Sequence, residues 1–169
     1  PDTDALALGS TAVGDRGDVT RNHVQGVEIN PDGTKIFLTF NDASGTKDGL
    51  KEYTLSTPFD ITTMSLVKNA GISLETAAND NPDAIFFGLN GKRVFVTDHF
   101  RLTVTQFTLT NPYDTSSFTN DGNININTLT PGVNNQTRAI AFSKNGLKLF
   151  VSDDTGTVSY THLTLPTIE

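Results

Sequence analysis

Acidic side chains follow the second apolar run of each repeated segment in this chain: Asp42, Asp98 and the pair Asp153-Asp154. Carboxylates gathered at one rim suit calcium or a polar organic ligand, because a hard cation needs several oxygen ligands. The competing role is structural. An aspartate at a strand end also accepts hydrogen bonds from the N–H groups of the loop that follows, and the absence of calcium-loop spacing favours that role. Asp83, in the run Asp80-Asn81-Pro82-Asp83, is a further candidate. It leads into a predicted strand, on ground comparable to Asn22-His23, where a residue either caps a loop or faces a ligand.

Other reactive groups are sparse. His23, His99 and His162 stand in no His-x-x-x-His spacing, so loop packing is the expectation for them rather than metal ligation. There is no Gly-x-Ser-x-Gly elbow and no cysteine nucleophile. Arg16-Gly17-Asp18 spells a tripeptide used in adhesion on loop tips, but three residues match easily by chance. No cofactor is expected, with calcium at the rim as the one exception.

The bulk numbers narrow the partners. Twelve basic against nineteen acidic residues give a net charge of −7, which argues against a phosphate-backbone ligand. The apolar runs are too short for a membrane-spanning helix. No cysteine is present, which removes disulfides and thiolate metal sites and leaves the compartment open. The chain opens on Pro1 rather than Met, so the lack of a leader peptide carries little weight.

The elements that must hold these residues are written as a repeat. Gly26-Val27-Glu28-Ile29-Asn30-Pro31-Asp32-Gly33-Thr34-Lys35-Ile36-Phe37-Leu38 returns as Ala84–Val96 and again as Ala139–Val151, with the turn glycines Gly33, Gly91 and Gly146 spaced 58 and 55 residues apart. Periods of this size belong to solenoids and propellers. The apolar runs are short and rich in Val, Ile and Phe, which selects strands over helices. Pro31-Asp32-Gly33, Asn90-Gly91 and Asn145-Gly146 are hairpin turn signals. They predict strands over 25–29 with 35–40, 83–87 with 92–97, and 138–142 with 147–152.

Leu50–Leu55 and Val104–Leu109 alternate apolar and polar residues as third strands, each followed by a Pro-[Phe/Tyr]-Asp phrase at 58–60 and 112–114. Weaker fourth strands are expected near 64–67 and 117–119, and a leading strand near 5–8. Four antiparallel strands per unit make a propeller blade. Phe37, Phe95 and Phe150 hold equivalent positions, as do Tyr53 and Phe107. They are expected to pack one blade on the next.

The pattern resembles bacterial and marine repeat propellers with blades of the "DGTK…YTLSTPFD" type, and Phe142–Ser152 is similar to YVTN-type and lactonase-like propellers. The resemblance covers about residues 24–157. It implies an all-β partial propeller: a leading strand in 1–20, blades over 21–79 and 80–135, and a half blade over 136–157. It further implies an extracellular or cell-surface setting.

The expected function is a non-catalytic binding or interaction module that engages protein or glycan through its loops, with Asp42, Asp83, Asp98, Asp153 and Asp154 as candidate contacts. The alternative is a piece of a lactonase-like or other hydrolase with its site in the central channel. Residues 158–167 resemble the translation of a transposon-end sequencing adapter. Residues 158–169 are therefore expected to be a non-native tail, against the alternative of a genuine third strand in which Tyr160 and Leu163 fall near the places of Tyr53 and Leu55.

Overall fold

The computed structural model describes residues 22–42, 49–67, 72–73, 81–98, 101–126, 137–143, 147–153 and 158–162. Within them, strands in sequence order form three antiparallel sheets. The first holds β1 (Asn22–Ile29), β2 (Lys35–Asp42), β3 (Gly49–Leu55), β4 (Met64–Leu66) and β5 (Ile72–Ser73). The second holds β6 (Pro82–Gly88), β7 (Arg93–Asp98), β8 (Thr103–Leu109) and β9 (Phe118–Asn125). The third holds β10 (Thr137–Phe142), β11 (Lys148–Asp153) and β12 (Val158–His162). Each sheet is a meander, β1-β2-β3-β4, β6-β7-β8-β9 and β10-β11-β12. The first strands β1, β6 and β10 adjoin one another in turn. Consecutive meanders that share an inner edge are the blades of a β-propeller.

The six predicted strands thus appear as three hairpins: β1 is three residues longer than the sequence suggested, β2 and β6 two and β10 one, while β7 and β11 keep the expected length one residue further on. The fourth strands differ more. In blade 1 the outer edge is split, with both β4 and β5 pairing β3. In blade 2, β9 runs for eight residues. The predicted strand near 5–8, the Arg16-Gly17-Asp18 tripeptide, His99 and Asp154 lie outside the described residues.

The hairpin turn and the Pro-[Phe/Tyr]-Asp phrase are halves of one device. At the first turn Asp32 Oδ1 accepts from the Thr34 N–H at 3.0 Å and its hydroxyl at 2.6 Å, while Gly33 takes φ +71. In the second, Leu89, Asn90 and Gly91 are all left-handed. The aromatic ring of the later phrase then lies on the turn glycine, Phe59 on Gly33 and Tyr113 on Gly91, where any Cβ would collide with the ring. The Phe59 and Tyr113 N–H groups donate to the Gly33 and Gly91 carbonyls, both at 2.9 Å. Positive φ at these two aromatics, +62 and +54, is unusual for bulky side chains. The stacked ring and the backbone bond hold it. Asp60 and Asp114 complete the phrase by accepting from the N–H and hydroxyl of Thr62 and Ser116.

Alternation gives each blade a forward face and a rear face. Phe37 points forward from blade 1 and meets Phe87 of blade 2 at a ring-centroid distance of 4.4 Å, with Tyr113 beyond at 6.4 Å. Phe95 points forward from blade 2 and meets Phe142 of blade 3 at 4.5 Å. Rear-facing Ile85, Val94 and Val96 join the first interface, and Ile140, Leu149 and Val151 the second. Such aromatic pairs add about 0.5–1.5 kcal/mol beyond the area they bury. The first interface also carries a polar latch. Lys35 Nζ pairs with Glu52 at 2.5 Å and donates to the Tyr113 carbonyl at 2.7 Å. The other Glu52 oxygen accepts from the Thr115 N–H and hydroxyl, both at 2.8 Å. Glu52 is buried, and every contact that holds it is charge-assisted.

Candidate functional site at the inner edge

The inner strands share an irregularity. The pairing slips between Val24 and Val27, between Pro82 and Ile85, and between Thr137 and Ala139. Each slip is a β-bulge, a device that re-aims a side chain next to a site. The first bulged residue is Gln25, Asp83 and Arg138 in the three blades, so neighbouring inner strands present an amide, a carboxylate and a guanidinium in sequence. Asp83 is buried and its Oδ2 lies 3.8 Å from Nη1 of the half-exposed Arg138. The pair spans blades 2 and 3.

A hydroxyl residue stands opposite each bulge: Thr39, Thr97 and Ser152. Thr39 Oγ1 donates across the blade boundary to the Asp83 carbonyl at 2.7 Å. Thr97 Oγ1 accepts the Ala84 N–H within its own blade at 2.8 Å. These hydroxyls hold both polar groups of the peptide that joins Asp83 to Ala84. Gly26, at the bulge of β1, lets the strands close: a Cβ there would lie 2.7 Å from Thr39 Oγ1 and closer still to the Asp83 carbonyl. The sequence carries the signal as Phe-Leu-Thr at 37–39, Phe-Val-Thr at 95–97 and Phe-Val-Ser at 150–152, which the motif reading passed over. Arg138 was likewise missed, because a lone arginine after a Thr has no pattern until its partner strand is known.

The predicted acidic residues separate. Asp98 and Asp153 occupy one register position, opposite Pro82 and Thr137, and Phe40 holds that place in blade 1. Asp42 falls two residues further on, opposite Asn22. Asp98 braces its surroundings, accepting the Asn81 N–H at 3.2 Å and the Arg101 N–H at 2.7 Å. Asp153 is buried beside Thr137, whose hydroxyl is fully buried with no hydrogen-bond partner among the described residues. Asp83 is the candidate that an ion pair ties to the neighbouring blade, through Arg138 of β10. Among the described residues no group of three or more His, Cys, Asp and Glu is placed to hold a metal ion, and no helix is long and apolar enough to cross a membrane.

The opposite rim has its own electrostatics. Glu28 is pushed above the usual glutamate range by burial. Tyr113 is raised first by burial and then by the Glu28 and Asp32 charges. Asp32 is held low by the Thr34 hydroxyl and N–H, and Asp114 by those of Ser116. For Asp121, desolvation acts upward, but hydrogen bonds from Gln106 and Thr108 and the charge of Arg93 more than offset it.

No family model and no curated protein matches this chain. Solved structures do. The chain is similar to a periplasmic gluconolactonase, PpgL, of Pseudomonas aeruginosa, at 17% identity and TM-score 0.58, covering 82% of this chain and 40% of the other. It is similar to a Bacteroides fragilis protein provisionally named a 6-phosphogluconolactonase, at 17% identity and TM-score 0.61, covering 89% and 40%. It is also similar to the β-propeller domain of Cps50 (Swd1) from Myceliophteria thermophila, at 12% identity and TM-score 0.54, covering 92% and 42%. The chain therefore spans under half the length of these proteins. At identities this low, the structural likeness shows the shared propeller fold alone.

Proposed function

We propose that the inner-edge rim is a site for a small polyhydroxylated carboxylate or its lactone, and that the chain is part of a lactonase-like hydrolase. The observation that carries this is the Asp83–Arg138 pair, supplied by equivalent bulges of adjacent inner strands. A guanidinium offers planar paired donors to a carbonyl or carboxylate, and a carboxylate beside it accepts from sugar hydroxyls or from water. In lactone hydrolysis, Asp83 takes a proton from water as the oxygen attacks the ring carbonyl. Arg138 stabilises the oxyanion. The ring C–O bond then breaks, and the departing alkoxide takes the proton back to give the hydroxy acid. The names of the gluconolactonase-type neighbours support this reading over the non-catalytic module expected from sequence.

The test is hydrolysis of glucono-1,5-lactone above the spontaneous rate, together with calorimetric binding of gluconate. Asp83→Asn is expected to lower turnover by about 10²-fold or more, and Arg138→Met to weaken gluconate binding. Turnover unchanged in Asp83→Asn overturns the catalytic assignment. Binding of gluconate without turnover in the unaltered chain points back to the non-catalytic module.

A further inference from the structure

Asp83 is tied to the blades on both sides of it by different atoms. Its carboxylate faces blade 3, with Oδ2 3.8 Å from Arg138 Nη1. Its backbone carbonyl accepts the hydroxyl of Thr39 from blade 1 at 2.7 Å. Thr39 and its counterpart Thr97 are both fully buried, yet Thr97 Oγ1 bonds within its own blade, accepting the Ala84 N–H at 2.8 Å. The Asp83–Ala84 peptide is thus clamped at its oxygen by blade 1 and at its nitrogen by blade 2. The clamp sits where the ladder cannot serve. Pairing of β6 with β7 slips between Pro82 and Ile85, and a bulge interrupts the bonds that hold ordinary strand peptides in place. The plane of this peptide sets the torsion about the Asp83 Cα–C bond, and with it the direction in which the carboxylate leaves the strand. Gly26 keeps the path open, since a Cβ there would crowd both the Thr39 hydroxyl and the Asp83 carbonyl.

We infer that Thr39 is a positioning residue: its hydroxyl, reaching across the first blade boundary, aims the Asp83 carboxylate at the second. The kinetic consequence rests on the lactonase reading. A general base must lie within hydrogen-bond reach of the proton it takes, and a small misplacement of a reacting group is costly in rate. Arg138, which engages the carbonyl or carboxylate of the ligand, stands on another blade. Loss of the Thr39 hydroxyl should therefore lower kcat and spare KM.

Thr39→Val keeps the branched shape and removes the hydroxyl. With glucono-1,5-lactone as substrate it is expected to lower kcat by about 10- to 100-fold, with KM held within about twofold. Thr39→Ser is expected to keep most of the rate. Gly26→Ala leaves Thr39 in place and is expected to repeat the loss by crowding the same bond. Full kcat in Thr39→Val overturns the inference. So does a loss shared by Thr39→Ser, or one in which KM rises as far as kcat falls, because either describes general loosening. Geometry is read apart from turnover, in the NMR resonance of the Arg138 guanidinium N–H. Asp83→Asn removes the paired charge and sets the size of the shift. Thr39→Val should move the resonance the same way, and Thr39→Ser should not. A resonance indifferent to Thr39→Val overturns the positioning role. An unaltered chain that hydrolyses no lactone overturns the lactonase reading instead, and the Arg138 resonance then decides by itself whether Thr39 aims Asp83.

Discussion

Gly33 and Gly91 adopt φ +71 and +86 with an aromatic ring against the bare Cα, so alanine at either position meets two penalties. The left-handed backbone costs about 1–2 kcal/mol, and displacing the ring adds about 1–3 kcal/mol. Gly122 has φ +105 with nothing within 4 Å of a would-be Cβ, so Gly122→Ala meets only the backbone penalty. Urea denaturation should rank Gly33→Ala and Gly91→Ala well below Gly122→Ala in stability. Equal losses at all three would mean that the ring stacks contribute nothing.

Two carboxylates respond to pH in opposite directions. Asp114 is held low by Ser116, so the unfolded chain takes up its proton first as the solution is acidified. The stability it contributes is present above the ordinary aspartate pKa and is lost as pH falls toward the depressed folded value. Glu28 is raised by burial, so the folded chain takes up the proton first. Its favourable contribution is present below the ordinary glutamate pKa and is lost as pH rises through the elevated one. In a series of urea midpoints against pH, Asp114→Asn is expected to flatten the acid limb, while Glu28→Gln is expected to raise the midpoint at neutral pH.

At the scale of elements, strands and hairpins were legible because their signals are local: β-branched and aromatic runs closed by Pro-Asp-Gly or Asn-Gly. The contact between the turn and the Pro-[Phe/Tyr]-Asp phrase was not, although both phrases stood out, because more than twenty residues separate Gly33 from Phe59. The third blade shows the same limit. β12 pairs with β11 as a third strand, but its register puts Thr161 opposite Leu149 and Tyr160 opposite Phe150. In the other blades the aromatics Tyr53 and Phe107 stand opposite Ile36 and Val94. The aromatic of the last segment is thus one place out of phase with its counterparts, which spacing alone left ambiguous.

The latch between the first two blades makes a sharper demand. Glu52 is a strand residue whose partners Lys35 and Thr115 sit 17 and 63 residues away. Removing one member of a buried ion pair costs about 3–5 kcal/mol. Because Lys35 is 26% exposed, the loss in Glu52→Ala should fall at the low end, near about 3 kcal/mol. A double-mutant cycle of Glu52→Gln with Thr115→Val should show coupling of about 1 kcal/mol or more. Additive losses would show that the inter-blade bond is energetically idle.

For the whole molecule, each blade touches its neighbours through one aromatic-centred interface, so stability is expected to add up like that of a linear repeat array. Phe37→Ala removes the knob between blades 1 and 2 and should cost about 3–5 kcal/mol. Because the second interface, around Phe95 and Phe142, is built separately, blades 2 and 3 should outlast blade 1. Hydrogen exchange would then show early loss of protection in β1–β3 while β6–β8 stay protected. Uniform loss across all three sheets would instead describe a single cooperative unit. The repeated architecture was readable from the sequence because it recurs three times. The inner-edge ion pair was not, since Asp83 and Arg138 are one-off residues that only the bulge register brings side by side.

Gly26 bears on a quantity that no pairwise contact describes. Sheets that fan out from a common axis behave as wedges, and the angle of a wedge depends on how closely its thin edges meet. Between the first two sheets that closeness is set by a hydrogen atom where any other residue would place carbon. Gly26→Ala should prise the thin edges apart while the aromatic packing farther out holds, narrowing the angle each wedge subtends. Small-angle scattering would register this as a change in curvature. A ring must fill a full circle, so a slimmer wedge needs more neighbours to close it, and one missing methyl group at the hub helps decide how many sheets go round.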